Sequence, residues 1–283
     1  MVSELEDASS ARWYKVRIPV RSPTRTVGNI DDFTRIRAIR LWTQGHDAPV
    51  TMRMASLELV GSQWRTSSEV AREPVDDGTV PAVGDGELRV ASINNEEDAD
   101  YKQPAGAIVS RSRTARGQTA RSREQSLLLS VDALQKNQQR AVFKSFNQGL
   151  DLLKYSNLRM YVHANGPPAD LDAIADNLRL FVRLGANASD DYYEYEQPVQ
   201  PQDPPQPTDT ESPWLEDNEM NLRLSALNQL KVARDQSPTA PDSLFPAPGD
   251  ANPVEIDFGP EGTTLRMKGT PSLRNINTIV IGL

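Results

Sequence analysis

The chain has 283 residues, of which 37% are hydrophobic and 25% are charged, and its formal net charge is −8. The absence of cysteine excludes disulfides, thiolate zinc sites and a cysteine nucleophile. Only His46 and His163 are available for a histidine-based metal site or catalytic triad. The sequence contains no run of 18 apolar residues, so no transmembrane helix is predicted. This composition disfavours a conventional enzyme.

The first 66 residues have the alternation typical of β-strands. Apolar and polar side chains alternate in the segments 13–20, 34–42 and 49–61. Period-two alternation predicts strands with one buried face. Residues 1–66 are therefore predicted to be the C-terminal part of a first β-sandwich unit. The strand at 49–61 can also be interpreted as completing the sheet of a second unit.

Residues 67–124 differ from both flanking regions in charge and in periodicity. Residues 67–100 contain 10 acidic and 2 basic groups, whereas residues 101–123 contain 6 basic and no acidic groups. Apolar periodicity is nearly absent, apart from short runs at 88–90 and 107–109. The sequence predicts a long, flexible, charge-segregated linker over 67–124.

Residues 125–283 return to the β pattern and are predicted to form a second β-sandwich unit. Seven segments are predicted strands: 126–134, 140–146, 158–164, 178–185, 192–199, 263–269 and 276–283. Two Pro-rich stretches, 198–213 and 237–253, are predicted loops.

One short helix is predicted over residues 224–234. Leu224, Leu227 and Leu230 recur at helical spacing there, and basic residues follow near the C-terminal end. The predicted fold class is therefore all-β. The prediction is two jelly-roll-like antiparallel β-sandwich units, one partial and one nearly complete, which are joined by the linker and accompanied by this helix. Antiparallel sheets are expected because the alternation is single-sided.

An internal repeat relates the two units. WYKVRIPV (13–20) resembles YYEYEQPV (192–199), and DFTRIRAIRL (32–41) resembles SLRNINTIVI (272–281). In the second comparison, at an offset of 240, the aligned apolar pairs are Phe33 with Leu273, Ile36 with Ile276 and Ile39 with Ile279. Both ends of the chain fall inside this repeating unit. We therefore expect an internal fragment of a longer protein, with a native start at Met1 as the alternative.

A resemblance to a known family extends over about three quarters of the chain. The segments that carry it, in order, are VGNIDDFTRIRAIRLW, PVTMRMASLELVGSQWR, QRAVFKSFN, DLLKYSNLRMYVHA, LRLFVRLGANASDDYYEYEQPV, NEMNLRLSALNQLKVAR and MKGTPSLRNINTIVIGL. This succession resembles the SprA/Sov family, the outer-membrane translocon of the type IX secretion system, which is tied to gliding motility. The resemblance implies a very large β-barrel with soluble parts outside the membrane, of which this segment would be one, and it implies no catalytic residues.

Aromatic residues are the first candidates for a binding site. Trp42, Trp64, Tyr192, Tyr193 and Tyr195 are candidates for a carbohydrate platform, because β-sandwiches often bind sugars on aromatic faces. Core packing is the favoured interpretation, with Tyr193 and Tyr195 on one face of a strand and two glutamates on the other.

For each polar candidate for a functional site, a structural interpretation is favoured over a functional one. His163 is expected to be a hydrogen-bonded strand residue, and His46-Asp47 a turn without a nucleophile. Two acidic turns, Asp76-Asp77-Gly78 and Asp85-Gly86-Glu87, do not have EF-hand spacing. The arginine run at Arg111, Arg113, Arg116, Arg121 and Arg123 has no interleaved aromatic residue for base stacking. Asn187-Ala188-Ser189 matches a glycosylation acceptor by a common three-residue pattern.

The functional expectation is a non-catalytic, extramembrane part of a protein-secretion translocon in the cell envelope. No catalytic residue, cofactor or metal site is predicted, and nucleic acid is not an expected partner. The expected partners are other parts of the translocon, secretion-system proteins and secreted cargo. The alternative is a cell-surface β-sandwich module that binds carbohydrate or protein.

Overall fold

The chain divides into two units, Met1–Leu59 and Val60–Leu283. The structure, a computed structural model, describes these residues: 2–5, 13–16, 18, 24–28, 38–49, 51–54, 64–67, 82–83, 88–95, 98, 101–105, 107, 111–113, 119–121, 124–132, 134, 138–166, 171, 178–203 and 212–283.

The first unit contains an antiparallel strand pair. β1 (Val2–Leu5) pairs with β2 (Trp13–Val16), and Leu5 is the register partner of Trp13. β2 lies within the predicted strand 13–20, so the aromatic start of the repeat is a strand as expected.

The second unit consists mainly of strands, with one 3-10 turn and a helix. Its first strands in chain order are β3 (Arg65–Ser67), β4 (Ala82–Val83), β5 (Leu88–Asn94), β6 (Arg111–Arg113), β7 (Thr119–Arg121), β8 (Gln125–Val131) and β9 (Gln138–Gln139). The remaining elements are β10 (Ala141–Leu150), β11 (Asn157–Met160), β12 (Ala164–Asn165), β13 (Arg179–Gly185), β14 (Tyr192–Pro198), β15 (Pro201–Gln202), the 3-10 turn Glu216–Asn218, β16 (Met220–Arg223), α1 (Leu224–Asp235), β17 (Thr264–Lys268) and β18 (Ile276–Gly282).

A six-stranded sheet organises the second unit. Its strand order is β17-β14-β13-β18-β10-β3, and every neighbouring pair is antiparallel. β18 lies inside the sheet, between β13 and β10, so backbone groups on both of its edges take part in ladders. The predicted all-β, antiparallel fold class is confirmed.

One face of this sheet is covered by a second layer made of β11, β16 and α1. The sheet contributes Val182, Leu184, Tyr193, Tyr195, Leu265 and Met267 to the core, and the covering layer contributes Met220, Leu222, Leu224, Leu227 and Leu230. β11 pairs antiparallel with β16, and α1 follows β16 directly. The apolar alternation of each strand thus fixes which of its side chains enter the core.

α1 confirms the predicted helix and ends one residue later, at Asp235. Its leucines at positions 224, 227 and 230 form one buried stripe. Near its C-terminal end, Arg234 donates to the carbonyl of Gly269, and Lys231 Nζ donates to the carbonyl of Pro271 at 2.9 Å. Cations at this end of a helix also interact favourably with its dipole.

Two predicted strands of the first unit are wrong over their described residues. Residues 38–42 of the segment 34–42, and residues 49 and 51–54 of the segment 49–61, are in no strand and are exposed. Alternation specifies which side chains share a face, but a strand also needs a neighbouring backbone to take its hydrogen bonds. Residues 38–42, 49 and 51–54 have no such neighbour within the part of the chain that the structure describes. The other residues of the two segments lie outside the described part of the chain.

The region predicted as a linker contains strands where it is described. β5 pairs antiparallel with β8 over seven residues, and β6 pairs with β7. β3 pairs with the outer edge of β10. The segment 49–61 was the alternative for completing the sheet of the second unit, and its described residues 49 and 51–54 are in no strand. The proposed boundaries at residues 66 and 124 stay predictions.

The Pro-rich loop 237–253 packs against the central sheet. Phe245 and Met267 exchange two backbone hydrogen bonds of 2.8 and 2.7 Å, which attach the loop to β17. Leu244, Phe245 and Val254 are buried. Proline removes donors from the loop, and the apolar residues between the prolines hold it in place.

The α1 stripe gives a matched stability test. Leu227→Ala is expected to lower the free energy of unfolding by about 2–5 kcal/mol, because Leu227 is fully buried and its removal leaves a cavity. Val232→Ala, on the same helix at 57% exposure, is expected to cost about 0.5 kcal/mol or less. Urea unfolding followed by circular dichroism measures both. Equal losses would contradict the packing of α1 described above.

Candidate functional site

The second face of the central sheet carries a row of charges. Arg179 and Arg183 come from β13, Glu194 and Glu196 from β14, and Arg266 from β17. These five residues are called the charged face. The sheet register makes Arg183 the direct partner of Glu194, and Glu194 the direct partner of Arg266. Three adjacent strands thus place alternating charges side by side.

The carboxylates of the charged face lie between the guanidinium groups. Arg183 Nε donates to Glu194 Oε2 at 2.8 Å, and Arg266 Nη1 donates to Glu196 Oε2 at 3.1 Å. The same Arg266 nitrogen is 3.9 Å from Glu194 Oε1. Arg179 Nε donates to Glu196, and its Nη2 donates to the carbonyl of Gly262 at 2.7 Å. Each glutamate therefore contacts two arginines.

Arg183 is the most deeply buried member of the charged face, at 1% exposure. Its Nη1 donates to the carbonyl of Ala188 at 2.9 Å. Its Cζ lies 4.3 Å from the ring centroid of Tyr192 and 5.3 Å from that of Phe181. Nη2 finds no hydrogen-bond acceptor among the described residues. The two rings therefore supply cation–π stabilisation where one hydrogen bond is missing.

This arrangement selects one strand register. An unpaired charge in a buried site costs much more than a paired one. A one-residue slip of β14 against β13 would separate Arg183 from Glu194 and exchange the two faces of the strand. The charged face therefore favours the observed pairing of β13, β14 and β17, and its carboxylates are engaged by arginines.

The tyrosines of the predicted carbohydrate platform lie in the interior. Tyr192, Tyr193 and Tyr195 are each 1–2% exposed, and Tyr193 and Tyr195 share the core face as predicted. Burial raises the pKa of Tyr193 to about 12, against a smaller opposing effect of nearby Arg234. The Tyr193 hydroxyl donates to the carbonyl of Pro271 at 2.9 Å. Buried rings offer no surface to a sugar, so the core interpretation is confirmed for these three residues.

The two tryptophans of the platform hypothesis are more exposed than the tyrosines. Trp42, in the first unit, is 73% exposed. Trp64, in the second unit, is half-buried.

His163 lies in a ring cluster centred on Trp214. Trp214 makes edge contacts with His163, Tyr161 and Tyr101, at centroid distances of 5.9, 6.4 and 6.2 Å. His163 Nδ1 is 2.9 Å from the carbonyl of Pro213, so this nitrogen carries the proton and donates it. His163 is therefore hydrogen-bonded, as expected, but it lies between β11 and β12 and not in a strand.

Burial lowers the pKa of His163, while its contacts with the Pro213 carbonyl and the Gln202 side chain act in the opposite direction. At about pH 6.5, where half of the unfolded chains carry a proton on a histidine, a smaller fraction of the folded chains carries one on His163. Because the unfolded chain binds the proton more readily, the contribution of His163 to stability is full above this pH and falls as the pH decreases.

The Trp214 cluster attaches residues 101–105, which are part of the predicted linker, to later residues of the second unit. Trp214 Nε1 donates to the carbonyl of Lys102 at 2.6 Å. Tyr101 shares a 2.7 Å hydrogen bond with Ser126, and Pro104 is buried. Residues 101–105 are thus held by both ring contacts and hydrogen bonds.

The remaining sequence candidates are dispersed. His46 and Asp47 are exposed in a bend of the first unit. Asn187 Oδ1 accepts hydrogen bonds from the backbone N–H groups of Ser189, Asp190 and Asp191, which makes it the organising residue of the turn between β13 and β14.

Other candidates fall partly or wholly outside the described residues. Arg111, Arg113 and Arg121 lie in the β6–β7 pair, whereas Arg116, Arg123 and both acidic turns at 76–78 and 85–87 are outside. Within the described part of the chain, no three His, Asp or Glu side chains come together as a possible metal site.

Sequence reasoning missed the charged face and the Trp214 cluster. The alternation in YYEYEQPV revealed the two glutamates on one side of β14, but their arginine partners depend on which strands are neighbours. Trp214 and its ring partners are separated by up to 113 positions in the sequence, and no local pattern connects them. Only the folded chain brings these groups together.

The comparison with protein-family models decides the family. Residues 3–283 match the SprA_N model, which is described as a motility related/secretion protein. The chain belongs to the SprA_N family. The resemblance found in the sequence blocks is therefore confirmed. No curated protein matches the chain.

Membership of the SprA_N family makes the chain a motility- or secretion-related protein, and it indicates association with the cell envelope. The match extends through both units and through the predicted linker. Among the helices that the structure describes, none is long and apolar enough to cross a membrane. The charged face and the Trp214 cluster are thus features of a SprA_N segment.

The charged face gives a second stability test. Arg183→Met is expected to cost about 3–5 kcal/mol, because it leaves Glu194 buried beside a lost partner. Arg89→Met is the matched control: its ion pair with Asp132 is also short, at 2.9 Å, but both side chains are 62% exposed. The control is expected to cost less than about 1 kcal/mol. Urea unfolding measures both, and a small loss for Arg183→Met would argue against a desolvated charged face.

The Trp214 cluster gives a local test by limited trypsin digestion. Trp214→Ala is expected to accelerate cleavage after Lys102, because the variant loses the hydrogen bond to the Lys102 carbonyl and the ring contact with Tyr101. Trp42→Ala removes an exposed tryptophan of the first unit and is expected to leave this cleavage rate unchanged. Mass spectrometry of the early fragments identifies the cleaved bond. Identical rates for the wild-type chain and Trp214→Ala would show that the cluster does not hold residues 101–105.

Proposed function

We propose that this chain is a non-catalytic, extramembrane structural part of a large outer-membrane translocon for type IX protein secretion, which also serves gliding motility. The observation that carries the proposal is the match to the SprA_N family over residues 3–283. The chain works by shape and contact, as a scaffold that positions surfaces for other proteins.

The use of charged and ionisable groups supports a scaffold. Glu194 and Glu196 are each held between arginines, so the lone pairs of their carboxylate oxygens are engaged in the fold. His163 donates to a backbone carbonyl within a ring cluster. General acid–base catalysis needs such groups within reach of a substrate. In this chain they hold strands and loops together.

The proposed partners are other parts of the translocon, further secretion-system proteins and secreted cargo. The proposed location is the outer-membrane region of the cell envelope, on its extracellular or periplasmic face. The alternative of a carbohydrate-binding module is weakened by the burial of Tyr192, Tyr193 and Tyr195. A protein-binding surface is compatible with the scaffold.

The proposal is tested in cells that produce the full-length protein. Deletion of residues 125–283 is expected to stop secretion of a reporter cargo, because the deletion removes most of the second unit and its central sheet. Immunoblotting of culture medium and envelope fractions measures secreted cargo and translocon abundance separately. Val232→Ala, which changes an exposed side chain of α1, is the control and is expected to secrete normally.

Normal secretion by the deletion strain would contradict the proposed role. Loss of secretion with normal abundance of the shortened translocon would support a docking or gating part. Loss of the translocon itself would support a part needed for assembly. The second and third outcomes are both structural roles, and the abundance measurement distinguishes them.

A further inference from the structure

One strand motif occurs twice in the chain and has two different environments. In the second unit it is β18, which is paired on both edges by β13 and β10. In the first unit the corresponding residues 38–42 are in no strand. Ile39, Leu41 and Trp42 are 50%, 54% and 73% exposed there. The motif is therefore paired with neighbouring strands in the second unit, whereas its described residues in the first unit are unpaired and exposed.

The repeat gives the correspondence residue by residue. At the offset of 240, Ile39, Arg40, Leu41 and Trp42 correspond to Ile279, Val280, Ile281 and Gly282. Ile279 and Ile281 pack against the main core of the second unit. The exposed side chains of Ile39 and Leu41 thus occupy the positions that face the core when the motif is paired.

The differences between the two copies specify a partner strand. In β18, Val280 lies opposite Arg183 of β13. The first unit has Arg40 at this position, and opposite charges stabilise a cross-strand pair whereas like charges destabilise it. A partner strand for residues 38–42 therefore needs an acidic residue opposite Arg40.

A steric difference specifies a second position. Gly282 lies opposite Phe181, and a Cβ at Gly282 would overlap the Phe181 ring. The first unit has Trp42 at this position. In the same register the Trp42 indole would fill the space that Gly282 leaves for the Phe181 ring, so we expect a small residue to fit opposite Trp42.

We propose that residues 38–42 form a β-strand-addition site for an extended segment of another polypeptide, with the pattern small–apolar–acidic–apolar. The segment pairs antiparallel, in the register that β13 adopts against β18. Backbone hydrogen bonds supply affinity, while the small and acidic residues supply specificity. The site does not depend on the proposed secretion role.

A folded second copy of this chain does not supply the strand from its central sheet. β13 would place Arg183 against Arg40, which opposes like charges, and Phe181 against Trp42, which puts two large rings where β18 has a ring and a glycine. β13 and β10 are also paired on both edges in their own sheet. Residues 56–59 read Ser-Leu-Glu-Leu and have the required pattern in sequence, so the test includes Glu58→Lys.

The test uses the 283-residue chain and a fluorescein-labelled peptide, TAVELTK, in which alanine faces Trp42 and glutamate faces Arg40. Fluorescence anisotropy is expected to show at least tenfold tighter binding of this peptide than of TAVKLTK. Arg40→Glu is expected to reverse the preference, because the charges are then exchanged.

Arg25→Glu changes an exposed arginine elsewhere in the first unit and is expected to keep the original preference. Trp42→Gly is expected to bind the bulky peptide TFVELTK more tightly than the wild-type chain does, because glycine leaves room for the phenylalanine ring.

Three outcomes would overturn the proposal. Equal binding of the two charged peptides, or an equal effect of Arg25→Glu and Arg40→Glu, would show nonspecific attraction. Absence of binding by a chain with an unchanged circular dichroism spectrum would show that residues 38–42 do not pair with such a segment. Sedimentation showing self-association of the wild-type chain that Glu58→Lys abolishes would identify a second copy as the occupant.

Discussion

Pairing on both edges of β18 is the constraint on which the second unit depends. An internal strand satisfies its backbone donors and acceptors through its two neighbours, and the order β13-β18-β10 follows from this requirement. Once β18 is fixed between these strands, its alternating side chains fix which residues of β13 enter the core. Gly282 then leaves room for the Phe181 ring. The remaining strands extend this arrangement on either side.

The two faces of the central sheet are stabilised by different interactions. One face buries aliphatic and aromatic side chains against β11, β16 and α1, and the hydrophobic effect dominates there. The other face buries Arg183, Glu194 and Glu196, whose charges are tolerable because they are paired. A wrong register is costly on the charged face and on the apolar face alike. The charged face therefore favours the observed strand register, while the apolar face on the other side of the same strands stabilises the fold by burial.

The sequence predicts elements better than it predicts neighbours. The strands of the central sheet in residues 140–283 and α1 were predictable, because alternation and the spacing of Leu224, Leu227 and Leu230 are local signals. The opposite faces of Tyr193 and Glu194 were predictable for the same reason. The Arg183–Glu194 pair was not, because it depends on the register between two strands. Residues 38–42 show the converse error, since their alternation indicates a face without providing a partner among the described residues.

Hydrogen–deuterium exchange of the intact chain tests the central claim most directly, because it compares the two copies of one motif in a single experiment. The account predicts that the amides of Ile279 and Ile281 exchange only through large-scale opening of the second unit. The amides of Ile39 and Leu41 are predicted to exchange at nearly the rate of an unstructured peptide. Equally slow exchange at Ile39 and Ile279 in the chain alone would show that the first copy is already paired, and this would contradict the account.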